Sequence, residues 1–231
     1  MRALPTKSVA LIGVFAALHT VLFLMPTPFW RNWAIYFEPI EGIILGPWAG
    51  FASALIGSVM ARMIKPISEW MFGIIAEPVG AMVSGLLARR RWKLVVGMYA
   101  IMLTAYFLHP FGRRLPLWTI LDILLALIMV YPITRFGGDI FEEKAGYLPL
   151  YLCSISFIGT AADSLTRIFL LIPVGWYALF FSSFETVYVI FVGGAVTSYV
   201  EDIMIVIFSL LVGTPLLLAL RRIPGFRYPL S

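Results

Sequence analysis

The chain of 231 residues is 61% hydrophobic and only 13% charged, with a mean hydropathy of +0.95. These values exclude an ordinary soluble domain, and apolar runs that recur as far as Arg221 exclude a signal peptide as their sole cause. The net charge of +5 is dispersed over clusters that flank the apolar runs, which indicates membrane topology rather than nucleic-acid binding. We therefore expect an all-α, polytopic helical membrane bundle of about six to eight passes, with 1–231 forming one integral membrane domain.

The hydrophobic segments run approximately over 8–26, 34–64, 70–88, 94–110, 117–135, 147–172 and 184–220. The second is too long for one straight pass, and Gly46-Pro47 divides it into a short helix over 34–45 and a second over 47–64. In the last segment, Gly193-Gly194 and the polar residues around Glu201 predict an outer loop or partial helix before a final pass at about 202–220. Cys153 is the sole cysteine, so an internal disulfide is excluded.

Orientation follows from the short basic loops, of which "RRRWK" at 89–93 is the strongest. Counting passes places this cluster, the N-terminus and the arginine-rich C-terminus on the cytoplasmic side. Arg113 and Arg114 then fall outside, against the rule.

Small residues recur every four positions after the Gly46-Pro47 break and again in the following helix. The rows are Gly46, Gly50, Ala54 and Ser58, then Ala49, Ser53, Gly57 and Ala61, and finally Ala76, Gly80, Ser84 and Ala88. Such rows allow backbones to approach closely, so we expect these two helices to pack on each other. Docking of a partner is the alternative use of the rows.

The first helix has two distinct faces. A small-residue stripe contains Ala10, Gly13, Ala17 and Thr20, and the roughly opposite face contains Ile12, Ala16, His19 and Phe23. If His19 faces the interior, the small stripe faces outward and offers a docking surface to another membrane protein, with intramolecular packing as the alternative.

Ionisable side chains within membrane segments are costly and each needs a reason. Glu77 shares a helical row with Ala81 and Gly85 and is expected to face protein, while Asp163 and Arg167 are spaced to form an ion pair. Asp122 has no partner nearby in the sequence.

Carboxylates and aromatic residues gather near the predicted outer surface. They indicate either an interfacial aromatic belt or a pocket for a small polar solute, whose candidate residues are Trp33, Glu38, Glu41, Glu69, Trp70, Glu77 and Trp176. The carboxylates slightly favour a cationic or hydrogen-bonding solute. The solute's identity stays open.

Enzyme chemistry has little support, because H-E-x-x-H, G-x-S-x-G and phosphate-loop motifs are all absent from the sequence. With His19 and His109 far apart and a single cysteine, neither a metal site nor a cofactor is expected.

Several stretches resemble the substrate-binding S component of energy-coupling factor transporters. They are "PTPFWRNW", "FEPIEGIILGPWAGFASALIG", "EWMFGIIAEPVGAMVSGLLARRR" and the final "GTPLLLALRR", with the resemblance strongest over 8–92. The resemblance implies a bundle of about six passes that captures a vitamin-like micronutrient at its outer side and docks on a transmembrane coupling protein driven by two ATPases.

Carried over to this sequence, the resemblance assigns partner docking to Ala10, Gly13 and Ala17, a lid to the loop 27–37, and a ligand-facing carboxylate to Glu77. The broken helix would present backbone groups to the solute. Two rival functions remain at this point: a non-catalytic structural or assembly subunit of a larger membrane complex, and an intramembrane enzyme using Asp122, Asp163 or Glu201.

Overall fold

The computed structural model describes residues 6–26, 32–66, 70–136, 140, 147–181 and 183–222, and the described residues contain helices without strands. The helices are α1 (Thr6–Leu24), α2 (Trp33–Leu45), α3 (Pro47–Ile64), α4 (Trp70–Ala88), α5 (Trp92–Leu108), α6 (Pro110–Arg114), α7 (Leu121–Phe136), α8 (Leu148–Leu171), α9 (Tyr177–Phe180), α10 (Phe184–Phe208) and α11 (Thr214–Arg221). Within these ranges, five helical stretches are long and apolar enough to cross a membrane. The chain is therefore a helical bundle with the character of a membrane protein.

Helix α1 packs on the bundle through the face that contains His19, the condition on which an outward small-residue stripe depended. Its buried residues are Ser8, Ile12, Ala16, His19 and Phe23. Gly57 of α3 lies directly against this face, since an added Cβ would come 2.6 Å from the Cβ of His19. The small residue at position 57 thus allows α1 and α3 to approach closely.

The predicted division of the second segment at Gly46-Pro47 is confirmed. Gly46 adopts a φ of +87°, a conformation that L side chains rarely adopt, and Pro47 opens α3 in its first turn. The Gly46 amide still donates to the Gly42 carbonyl at 2.9 Å, so the turn remains hydrogen-bonded to the helix before it. The break lies beside the Arg89 guanidinium, just after the end of α4.

Helix α4 lies at the centre of the first half and packs against α2, α3 and α8. The expected contact of α3 with α4 is confirmed at Gly85, where an added Cβ would come 2.6 Å from the Pro47 nitrogen. The row that includes Gly80 and Ser84, however, faces α8 and α2, because a Cβ at Gly80 would lie 3.0 Å from the Gly159 carbonyl oxygen of α8 and would overlap the Glu38 side chain of α2. Small residues of α4 thus allow all three neighbouring helices to approach it closely.

The first four helices alternate in direction between two ends of the bundle. At the Phe23 end, Phe23 of α1, Ala34 of α2 and Ala61 of α3 pack together. At the Arg89 end, the Gly46 turn lies beside Arg89. Tyr151 of α8 donates to the Leu87 carbonyl at 3.3 Å, so α8 begins at the Arg89 end and runs toward the Phe23 end.

The predicted loop or partial helix around Gly193-Gly194 is wrong. Helix α10 is unbroken over Phe184–Phe208 and continues through a π-helical turn at Ser209–Gly213 into α11. A glycine weakens a helix by only about 1 kcal/mol, and here Phe191 and Ala195, which flank the glycine pair, are buried against the bundle. Tertiary packing therefore outweighs the low helix propensity of two glycines.

Candidate functional site

A cavity of about 670 Å³ extends from the Phe23 end into the bundle between α1, α3, α4, α7, α8 and α10. Its polar and charged lining residues are Asn32, Arg62, Lys65, Glu77, Thr119, Asp122, Ser164, Arg167 and Ser198. The remaining walls are mainly apolar and include Phe23, Phe72, Leu171, Phe181 and Phe191. This volume and mixture of apolar walls with a few polar groups are typical of a small-molecule site.

Glu77 of α4 is the centre of a buried charge cluster at the inner wall of the cavity. Arg62 of α3 donates to it twice, from Nη1 to Oε2 at 3.0 Å and from Nη2 to Oε1 at 2.5 Å. The Ser58 hydroxyl also donates to Glu77. Gly73, one turn before Glu77, leaves the space that the Arg62 guanidinium occupies, since an added methyl group would overlap it.

His19 connects this cluster to a second carboxylate, Glu41 of α2. Its Nδ1 lies 3.0 Å from Glu41 Oε2, while its Nε2 lies 3.2 Å from Ser58 Oγ and 3.5 Å from Glu77 Oε2. Because Ser58 donates its own hydrogen to Glu77, its oxygen accepts from the ring. Ser53 donates to the other oxygen of Glu41, so this carboxylate is hydrogen-bonded through both oxygens.

The predicted pair of Asp163 and Arg167 on α8 is confirmed. Arg167 donates from Nε to Asp163 Oδ2 at 2.7 Å and from Nη2 to Oδ1 at 3.1 Å. Its Nη2 also approaches Glu77 Oε1 at 3.5 Å. Arg167 therefore joins the buried cluster from the cavity side, and its side chain is 19% exposed because the cavity reaches it.

A second hydrogen-bonded group of the cavity lining joins α8, α10 and α7. Ser164 and Ser198 lie 3.1 Å apart through their hydroxyl oxygens, and Ser198 donates to Asp122 Oδ2 at 3.0 Å. Asp122, which has no partner near it in the sequence, thus has one on another helix. The carboxyl of Asp202 is buried on α10, one helical turn after Ser198.

The sequence-predicted pocket residues are divided between the cavity and its surroundings. Of the described candidates, Glu77 lines the cavity, whereas Glu38 and Glu41 are buried on α2 behind it. Trp33 donates from Nε1 to the Pro26 carbonyl at 3.3 Å and Trp176 packs edge-on against Phe72 at 5.3 Å, so both support lining residues from outside.

Two other predictions lie wholly or partly outside the described residues. These are Glu69 with the side chain of Trp70, and residues 27–31 of the expected lid. The rest of that segment is not a loop, because Asn32 caps α2 by accepting from the Ile35 amide, and 33–37 form the start of the helix.

The Gly46 break, which the resemblance assigns to solute binding, does not line the cavity. The cavity is lined by α1, α3, α4, α7, α8 and α10 together with Asn32, and the Gly46 turn lies at the opposite, Arg89 end. The reason is geometric, since the 13 residues of α2 carry the chain about 20 Å away from the Phe23 end before the break occurs.

Sequence reasoning missed most of the cavity's polar side chains. The inward direction of Arg62 could have been predicted from the sequence. Arg62 follows Ser58 at a four-residue spacing, so it lies on the same helical face as the small residues that pack against other helices. Ser164 and Ser198 carried none, since single serines are common in membrane helices and their convergence depends on how α8 packs against α10.

The predicted docking stripe lies on the surface of the bundle. Ala10, Gly13 and Ala17 are exposed while His19 is buried, so the condition on which an outward stripe depended is met. A Cβ at Gly13 would meet no atom within 4 Å. Exposed apolar neighbours such as Val14 and Val21 complete this face.

His109 has a structural role between α5 and α6. Its Nδ1 accepts from the Phe111 amide at 3.1 Å, and burial lowers the pKa of its imidazole, which keeps that nitrogen available as an acceptor. Across the described ranges, histidine, cysteine and carboxylate side chains form no group of three or more that could hold a metal ion.

Comparisons of the chain with protein-family models, with curated proteins and with solved structures return no match.

Proposed function

We propose that this chain is the membrane-embedded, substrate-binding component of an uptake transporter for a vitamin-like micronutrient. Separate transmembrane coupling and ATPase subunits would supply the energy, as in the S components that its sequence resembles. The observation that carries the proposal is the cavity of about 670 Å³, whose charged walls are held in place by a buried network drawn from α1, α2, α3, α4 and α8.

A second feature supports the need for a partner. Helix α1 turns its polar residue His19 inward and leaves Ala10, Gly13 and Ala17 at the surface, where another membrane helix can approach closely. In this proposal the Phe23 end faces the outside and the Arg89 end faces the cytoplasm, in agreement with the basic cluster at 89–93.

The proposal is tested by identifying what accompanies the purified full-length protein. Native mass spectrometry of protein from its own membranes should find a small molecule bound with a stoichiometry near one. Repeated preparations without any bound molecule, but with a constant set of membrane partners, would instead favour the structural or assembly subunit.

The docking role of α1 has its own test. Replacing Gly13 by leucine is expected to abolish co-purification of the coupling protein while the variant still inserts, because the larger side chain prevents close helix approach. Gly193→Leu is a matched control, since Gly193 is also exposed on a membrane helix and a Cβ there meets nothing within 4 Å. Equal co-purification of both variants would remove α1 from the docking surface.

A further inference from the structure

The charged residues of the cavity differ in how far they reach its lumen. The lining contains three basic side chains, Arg62, Lys65 and Arg167, and two acidic ones, Glu77 and Asp122. If all five were equally accessible, the cavity would have little preference for either sign of charge. The local hydrogen bonds decide which of them a solute can contact.

Both carboxylates are turned away from the lumen. Glu77 has no exposed surface, and Ser58, Arg62, His19 and Arg167 surround its oxygens. Asp122 is 5% exposed, its Oδ2 accepts from Ser198, and its Oδ1 is buried. Glu77 therefore presents no accessible oxygen to a solute, and the only Asp122 oxygen that is not fully buried already accepts from Ser198.

Two cationic groups do reach the lumen. Arg167 uses Nε and Nη2 to bind Asp163, and among its hydrogen bonds in the described part of the chain none involves Nη1. Lys65 is exposed at the C-terminal end of α3, on the cavity wall, and within the same described ranges it forms no ion pair. Both residues line the same cavity, so an anionic group inside it can receive a charge-assisted hydrogen bond from Arg167 Nη1 and is attracted by the Lys65 ammonium group.

The remaining wall suits an apolar or aromatic body. Phe72 lines the cavity and is itself held between Trp176, at 5.3 Å, and Phe180, at 5.7 Å, measured between ring centroids. Phe181 and Phe191 add two further rings to the lining. Fixed aromatic walls of this kind bind a flat ring by stacking and by burying its apolar surface.

We infer that the solute is an amphipathic organic anion, with its carboxylate or phosphate at Arg167 and Lys65 and its apolar ring among the phenylalanines. This inference rests on the proposed substrate-binding function, and it replaces the cation in the slight sequence-based preference for a cationic or hydrogen-bonding solute by an anion. The preference changes because Glu38 and Glu41, two of the carboxylates that suggested it, are buried on α2 away from the cavity lining.

The test uses probes that share a naphthalene ring system and differ in the polar group attached to it, which is anionic, neutral or cationic. The full-length protein in nanodiscs is titrated calorimetrically with 1-naphthoate, 1-naphthyl phosphate, 1-naphthamide and 1-naphthylmethylammonium, with empty nanodiscs subtracted. At least one anion is expected to bind tenfold more tightly than both the amide and the ammonium probe. The preference should weaken as salt is added.

Single-residue variants test whether Lys65 and Arg167 bind the anionic group. Lys65→Gln should reduce anion affinity severalfold and Arg167→Gln tenfold or more, with the affinity for the amide probe changed less than twofold. Lys93→Gln removes the same charge from an exposed site at the Arg89 end and should change nothing. Lys65 is exposed and forms no ion pair within the described ranges, so its variant decides the test if Arg167→Gln fails to fold.

The outcomes separate this inference from the proposed function. Tightest binding of the ammonium probe, or anion binding that is indifferent to Lys65→Gln and Arg167→Gln, would overturn the anion class and leave a substrate-binding protein. If no probe binds, the charge of the co-purified solute decides: an anion supports the inference and a cation or neutral molecule overturns it. Absence of both probe binding and any co-purified solute would overturn the inference and the proposed function together.

Discussion

Glu77 shows how one residue can line a cavity and still act mainly through its neighbours. Its carboxylate has no exposed surface and is bound by Arg62, Ser58 and His19, with Arg167 at 3.5 Å. A buried charge is tolerated only when paired and hydrogen-bonded, and Glu77 meets both conditions. In the proposed function, Glu77 would act on a solute mainly by holding the two guanidinium groups in position.

Removal of the Glu77 charge should therefore lower the free energy of unfolding of the protein. Glu77→Gln leaves Arg62 buried without its counter-charge, and we expect about 3–5 kcal/mol of destabilisation together with weaker solute binding. Thermal unfolding in detergent measures the effect, with the exposed Glu185→Gln as the matched control. The double variant Glu77→Gln/Arg62→Met should recover part of the loss, because it removes both buried charges. Wild-type stability in Glu77→Gln would contradict this account of the cluster.

Glu38, on the same helix as Glu41, is also a buried carboxyl group, but within the described ranges it has fewer hydrogen bonds than Glu77. It is 2% exposed, and its Oε2 has no hydrogen-bond partner among the described residues. Gly80 leaves the space for its other oxygen, which a Cβ at that position would overlap. Position 80 therefore has to remain glycine while Glu38 keeps this conformation.

At the scale of helices, glycine matters where a backbone passes close by and little elsewhere. A Cβ at Gly85 would come 2.6 Å from the Gly42 carbonyl oxygen of α2, an atom that cannot move without shifting the helix. A Cβ at Gly97 of α5 would meet nothing within 4 Å. Both glycines lie within helices, so they form a matched pair.

Alanine at these two positions should have opposite effects. Gly85→Ala is expected to destabilise the protein by about 1–3 kcal/mol, because α2 and α4 must separate. Gly97→Ala should be neutral or stabilising by up to about 1 kcal/mol, because alanine favours the helix. Thermal unfolding of the two variants in the same detergent measures both effects. Equal destabilisation would show that helix separation at Gly85 is not the controlling factor.

The whole molecule places the cavity at one end and the strongest basic cluster at the other. Arg62, Lys65 and the cavity belong to the Phe23 end, while Gly46 and Arg89 belong to the opposite end. Arg113 and Arg114, which run against the charge rule, have local functions at the Phe23 end. Arg113 donates to the Phe107 and Leu108 carbonyls at the end of α5, and Arg114 lies 3.9 Å above the Phe184 ring.

The orientation is tested with single cysteines introduced into a Cys153→Ala background. In intact cells, a membrane-impermeant maleimide should label Lys65→Cys and should label Arg91→Cys only after permeabilisation. Both positions are exposed in the bundle, so a difference in labelling reports the side of the membrane. The reverse pattern would place the cavity on the cytoplasmic side and contradict uptake from outside.

Local patterns in the sequence determined where most of the long helices lie in the chain and which residues share a helical face. The break at Gly46-Pro47 and the division of α1 into two distinct faces were predictable, because proline geometry and the helical repeat act within a few residues. The pair of Asp163 and Arg167 followed from the same spacing rule.

Tertiary structure alone decided which side chains meet. Arg62 and Arg167 line the cavity, whereas Glu38 and Glu41 do not. Helix α10 remains helical through Gly193-Gly194. Both outcomes depend on contacts between helices far apart in the chain, whose rotation and depth are set by where small residues let backbones approach. A pattern within one helix identifies a buried face, but the neighbour that covers this face is decided by the packing of the whole bundle.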